Sequence, residues 1–189
     1  EVKVILNHNF SGGYATDAMS KNNLWCDYIY LDTDERRRFA QVSHEYLIEQ
    51  VQENTVTANT SSELTFNHPV KELIFTKSDN VDAAIGSAAG TFQLKLNGHD
   101  RFAARDWRYF SRTQVWQHHT GAGGLEPTTT ADGKFNDAIG VYSFALKPEE
   151  HQPSGTCNFS RIDNAQFVQS GAEATKVFAV NYNVLRIMS

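Results

Sequence analysis

Cysteine is scarce in this chain: Cys26 and Cys157 are the only two among 189 residues. Two thiols so far apart in sequence cannot form a disulfide scaffold, and the expectation is free, buried thiols in a reducing compartment. No run approaches the roughly 18 consecutive apolar residues that a membrane-crossing helix needs. An excess of positive charge is also missing: 17 basic residues stand against 22 acidic ones, a formal net charge of −5. That balance argues against a dedicated nucleic-acid binder. No secretory leader is recognisable and the first residue is Glu1 rather than Met, so the sequence reads as part of a longer polypeptide.

Catalytic patterns are absent as well. There is no Gly-x-Ser-x-Gly elbow, no phosphate-cradling glycine loop and no cysteine motif of catalytic type. Seven histidines raise the question of a metal, but no His-x-His pair occurs to place two imidazoles on one face of a strand. His118 and His119 are adjacent and would point to opposite faces of a strand, and His44 and His151 lack a partner at ligand spacing. Glu149 and Glu150 diverge as neighbours, and Pro148 and Pro153 around them suggest an exposed loop. No catalytic, cofactor-binding or metal-ligating residue is therefore nominated.

Aromatic residues are plentiful: twelve Phe, seven Tyr and three Trp, in a chain that is 40% hydrophobic. That load suits β structure, and the length suffices for one core with long loops. Val2, Val4 and Leu6 alternate with polar or opposite-face residues, predicting a strand over 1–7. Residues 9–23 lose all periodicity and have a linker composition. Leu24–Leu31 reads as an aromatic strand, and Asp32 three residues before Glu35 marks the start of a short helix. Arg36, Arg37 and Arg38 fan out around such a helix, and local pairing with Asp32, Asp34 and Glu35 is the preferred reading over phosphate binding. Val42–Val51 is ambiguous by period, with Glu and Gln favouring helix.

Glu63–Asn67 and Val70–Thr76 look like a strand pair separated by His68-Pro69, and 77–90 like a loop. Phe92, Leu94 and Leu96 alternate with Gln93, Lys95 and Asn97 as a half-buried strand closed by Asn97-Gly98. Beyond it, Arg101, Arg105, Arg108 and Arg112 recur at helical spacing beside an apolar stripe of Ala103, Trp107 and Phe110. Such a stripe could meet nucleic acid; a solvated or intersubunit face paired with Asp100 and Asp106 is preferred. Gly121–Asp137 is a glycine- and threonine-rich surface loop without period. Tyr142, Phe144 and Leu146 share one face of a strand, Pro148, Pro153 and Ser154-Gly155 interrupt it, and Phe159–Ile162 resumes as a second strand-like run. Residues 174–188 read as a long strand, apolar on both faces, suited to the middle of a sheet. Phe92, Leu94, Leu96, Tyr142, Phe144 and Leu146 are the candidate core. Three Asn-x-Ser sequons occur, at Asn9, Asn59 and Asn158, and Asn158 is read as structural.

The stretch YSFALKPEEHQPSGTCNFSRID, residues 142–163, resembles the signature segment of the major capsid proteins of nucleocytoplasmic large DNA viruses. DTDERRRFAQ-x-SHEYLIEQ, residues 32–50, resembles the same family, and the likeness runs in three blocks: 24–52, 92–119 and 139–163. The resemblance tips Val42–Val51 toward a strand. It implies an all-β, antiparallel jelly-roll sandwich, the second of two jelly rolls, with short helices in its connections. Residues 1–10 would end a preceding jelly roll, 11–23 would be a linker, and 24–189 would form the C-terminal jelly-roll domain. The implied function is structural and non-enzymatic: homotrimers form pseudo-hexagonal capsomers that contact neighbouring capsomers and minor capsid proteins. These tile an icosahedral shell over an internal membrane, assembled in the host cytoplasm, without direct nucleic-acid contact, transmembrane segment or cofactor. A carbohydrate-binding jelly roll and a cupin-like metalloprotein are the alternatives.

Overall fold

Asn97 and Gly98 adopt left-handed backbone, φ 50° and 79°, and turn the chain back on itself in a two-residue hairpin. That turn decides the fate of the residues after it, because 99–106 become a strand laid beside 91–96. The structure, a computed structural model, describes residues 3–4, 24–78, 85, 90–121, 137–171 and 174–188. The expectations for 1–7 and 9–23, for most of 77–90 and for 122–136 lie outside those residues.

Contacts divide the chain into two units, Glu1–Ser43 and His44–Met188, so the expected domain 24–189 spans parts of both. In the first unit, helix α1 covers Thr33–Gln41, and the Asp32 carboxylate accepts the Glu35 N–H at 2.8 Å. The expected cap is therefore present. Leu24–Leu31 is not a strand: it has extended chemistry but no ladder partner among the described residues, and Trp25, Tyr28, Ile29 and Tyr30 are exposed. Strand propensity without a neighbouring strand makes no strand.

The second unit is a β-sandwich. Its strands are β1 (His44–Val56), β2 (Ser61–Glu63), β3 (Pro69–Lys77), β4 (Thr91–Leu96) and β5 (His99–Asp106), followed by β6 (Gly140–Ser143), β7 (Cys157–Asn158), β8 (Ala165–Ser170) and β9 (Thr175–Ile187). One sheet runs β1-β9-β3-β6, with the two-residue β7 beside β3; the other runs β2-β8-β4-β5. Every pairing is antiparallel. The pairs β1 with β9, β2 with β8, β3 with β6 and β4 with β5 alternate between the sheets, which is the wrapping of a jelly roll.

Phe75 sits at the centre of the core. Its ring meets those of Phe92, Phe167 and Phe110 edge-on, with centroids 5.0, 5.4 and 5.5 Å away. Phe75 and Val177 come from one sheet, Phe92, Leu94 and Phe167 from the other, and all five are buried. Phe92 and Leu94 match the expected core, Leu96 and Phe144 pack on its margin, and Tyr142 is buried; Leu146 is exposed.

Several elements differ from expectation for identifiable reasons. Glu63–Asn67 and Val70–Thr76 do not pair: β2 belongs to one sheet and β3 to the other. The chain crosses between them, with Leu64 and Phe66 dropping into the core and His68 taking φ 67°. The strand at Tyr142 ends at Ser143, because the N–H groups of Phe144 and Ala145 both turn to the Lys71 carbonyl, at 2.9 and 3.1 Å. Lys71 is the extra residue where the β3–β9 register shifts between Val70 and Glu72. Phe159–Arg161 is a 3₁₀ turn, capped by the Asn158 carboxamide accepting the Ser160 N–H at 3.1 Å. β9 is central, between β1 and β3, but β3 accompanies it only to Asn181, and from Val184 onward it is exposed.

Candidate assembly surface

The expected arginine stripe is split by the hairpin. Arg101 and Arg105 lie on β5, an edge strand, while Arg108 and Arg112 lie in the helical stretch after it, a π-helix over Tyr109–Thr113 followed by α2 (Gln114–His118). Arg105 covers the Tyr109 ring and Arg108 the Trp107 ring, each 4.4 Å from the centroid. Arg108 also pairs with Asp106 at 3.5 Å. Arg112 points the other way and grips Asp137, whose carboxylate is buried and also accepts the Ser111 hydroxyl. Burial pushes the Asp137 carboxyl up, yet the hydrogen bonds from Arg112 and Ser111 outweigh it and hold the group below its ordinary value.

The signature segment forms an ordered loop on the β3 side of the sandwich. Pro148 is fully buried, the Lys147 N–H donates to the Ser154 hydroxyl at 2.9 Å, and Gly155 takes φ 146°. A Cβ on Gly155 would stand 2.8 Å from the Phe144 carbonyl oxygen, so glycine is required there. The end of α2 is tied to this loop. His119 places Nε2 2.9 Å from the Glu72 carboxylate and Nδ1 3.2 Å from that of Glu149. Carboxylates only accept, so both contacts are hydrogen bonds when the ring carries two protons. Glu149 also accepts the Thr120 N–H and hydroxyl; with these bonds foremost, its carboxyl is held below the ordinary value.

Sequence reasoning passed over the buried pair beneath this loop. Lys71 and Glu72 are both buried in β3; Lys71 donates to Glu49 at 2.7 Å and lies over the Tyr182 ring. The available signal was a Lys-Glu pair inside the otherwise apolar run PVKELIFTK. His151 approaches Glu49 at 3.5 Å, a partner distant in sequence.

Among the described residues, no three of His, Cys, Asp and Glu gather into a group able to hold a metal ion. His118 instead sits 3.2 Å from the Leu146 carbonyl, and no helix among the described residues is long and apolar enough to cross a membrane. Both cysteines are free; Cys26 is exposed, against the expectation, while Cys157 is half-buried and burial pushes its thiol up. Of the helix α1 arginines, Arg37 stands 3.9 Å from Asp34, with both side chains exposed. The far end of the β1–β9 ribbon carries exposed apolar side chains, Tyr46, Leu47, Val184, Leu185 and Ile187, and Trp116 is exposed on α2. By the strand alternation, Tyr46, Leu185 and Ile187 fall on one face of the ribbon and Leu47 and Val184 on the other.

The strand order makes the sandwich a jelly roll, a fold shared by capsid, lectin and enzyme domains, so the class of protein is decided by its relatives. The chain belongs to the family of large eukaryotic DNA virus major capsid proteins, whose model matches residues 35–189. It is similar to the major capsid protein of Pyramimonas orientalis virus, 49% identical over all of this chain and 53% of that protein. The major capsid protein of Paramecium bursaria Chlorella virus 1 is 36% identical over 97% of this chain and 56% of its own length. A solved structure of the PBCV-1 virus capsid superposes with a TM-score of 0.68 at 33% identity, covering 86% of this chain and 54% of that one. The chain thus spans about half the length of the curated relatives it matches.

Proposed function

We propose that this chain is the C-terminal jelly-roll part of a major capsid subunit that trimerises into pseudo-hexagonal capsomers. In this reading residues 1–10 end a preceding jelly roll, 11–23 link the two, and the sandwich follows. Capsomers then tile an icosahedral shell over an internal membrane, assembled in the host cytoplasm and joined by minor capsid proteins. The role is mechanical: rigid sandwiches pack side by side, and many repeated contacts hold the shell. No catalysis and no direct nucleic-acid contact are part of it. The observation that carries the reading is the family match across the sandwich. The exposed apolar end of the β1–β9 ribbon supports it, since such a surface gains from being covered in an assembly.

The test is the solution mass of the full polypeptide that contains this chain. A stable trimer is expected. A monomer that binds glycans, or one that retains a transition metal by elemental analysis, would replace the reading with one of the other jelly-roll functions.

A further inference from the structure

We propose that residues 24–31 are a strand of the preceding jelly roll of the same polypeptide, where they complete one of its sheets. This rests on the reading above that such a jelly roll precedes the sandwich, and it names the segment that this chain contributes to it.

The segment LWCDYIYL has the composition of a strand and no ladder partner among the described residues. Trp25, Tyr28, Ile29 and Tyr30 are between 76% and 93% exposed. Single apolar side chains in water are ordinary, but four large ones within six residues mark a surface that another surface covers. By strand alternation, Leu24, Cys26, Tyr28 and Tyr30 fall on one face and Trp25, Ile29 and Leu31 on the other, with Asp27 the one charge. A strand apolar on both faces belongs inside a sheet covered on both sides. Once it is buried there, its backbone N–H and C=O groups must pair with neighbouring strands.

The sandwich at His44–Met188 is not what supplies those neighbours. Contacts group 24–31 with Glu1–Ser43 instead. The two sheets, β1-β9-β3-β6 and β2-β8-β4-β5, already make a full jelly roll without a further strand. The family match likewise begins at residue 35, after the segment. Nearly half the length of the curated relatives lies outside the stretch this chain matches, enough for a second sandwich.

β9 shows what the segment would be in that second sandwich. It is the last strand of its jelly roll, carries apolar residues on both faces, and lies between the first strand and the third. The 24–31 segment has the same two-faced pattern, and it too ends a unit. Asp32, directly after Leu31, caps helix α1 by accepting the Glu35 N–H at 2.8 Å, so the extended chain stops there. The join between the two sandwiches then falls at α1, later than the linker composition of 11–23 indicates.

The experiment is hydrogen exchange read by mass spectrometry on the full polypeptide, with light scattering to give its mass. Peptides from 24–31 should exchange at least about a hundredfold more slowly than in the urea-unfolded chain, as peptides from β9 should. Exchange of 24–31 at the unfolded rate overturns the inference. Tyr30→p-benzoylphenylalanine, irradiated in the folded polypeptide, should crosslink within one chain to a peptide preceding Glu1. A crosslink into His44–Met188 overturns the inference by placing the segment on this sandwich. A product of doubled mass on a denaturing gel overturns it by placing the segment on a neighbouring subunit. Trimer formation is scored separately. A monomeric parent whose 24–31 segment is protected and crosslinks upstream supports this inference and overturns the trimer reading, whereas a trimeric parent with an unprotected segment does the reverse.

Discussion

The Arg112 guanidinium holds the Asp137 carboxylate in a fork, Nε to one oxygen at 2.9 Å and a terminal nitrogen to the other at 2.6 Å. The pair joins the π-helical turn to the start of the stretch leading into β6, and Ser111 completes it from the same turn. Arg112→Ala leaves Asp137 buried with the hydroxyl alone. A loss of about 1–3 kcal/mol in urea unfolding is expected. An unchanged midpoint would mean that the fork adds nothing.

The same pair sets an acid limb. The folded-state carboxyl of Asp137 lies below its ordinary value of 3.8. Its stabilisation is therefore complete above that value and is lost as pH falls through the lower folded value. Glu149, held below its ordinary 4.5 by the Thr120 bonds, acts in the same direction. The D137N variant should unfold with a shallower pH dependence below the ordinary carboxylate range than the parent. Identical acid profiles would remove Asp137 from the acid limb.

Phe75 is where core volume matters most, since its ring contacts three other buried phenylalanines. Phe75→Ala should cost roughly 3–5 kcal/mol through the cavity it opens. Phe144 is only partly buried, so its truncation should cost less, and Leu146→Ala, at an exposed position, should shift stability by less than about 0.5 kcal/mol. Equal losses for Phe75 and Leu146 would contradict this burial order.

His119→Ala strips Glu72 of its imidazole partner while the carboxylate stays buried. About 1–3 kcal/mol of destabilisation is expected. H119A/E72Q should recover part of it, because the neutral amide is cheaper to leave unmatched. A strictly additive double variant would show that the two side chains do not interact.

Gly155→Ala places a Cβ against the Phe144 carbonyl at a backbone angle that other residues rarely adopt. The strain, of order 1–3 kcal/mol, should appear as a lower Tm and faster proteolysis in the 144–156 loop. Parent-like melting would show that the loop relaxes around the methyl group.

What could be read without coordinates were the features that depend on neighbours in the sequence. The cap at Asp32, the alternation of Phe92, Leu94 and Leu96, and the Asn97-Gly98 turn all depend on residues a few positions apart. The signature segment and the 32–50 block carried the family, and with it the jelly roll. The alternation is visible because a strand with one buried face imposes period two on its sequence. The arginine spacing misled for the converse reason: four, three and four fits a helix, but two left-handed residues upstream forced a hairpin.

Only the tertiary structure decided which elements found partners. Leu24–Leu31 has the composition of a strand and no ladder among the described residues, whereas the Lys71 and Glu72 side chains, which composition would place in water, are buried. Lys71 is stabilised by Glu49, 22 positions away, and Glu72 by His119, 47 positions away. The strand at Tyr142 stops because of a carbonyl on β3, and β9 emerges from cover where β3 leaves it. Local sequence determines what a segment can form at the cost of a turn or a cap. Which face is buried, and which charge is matched, depends on chain closures that bring distant residues together, and no local pattern encodes those.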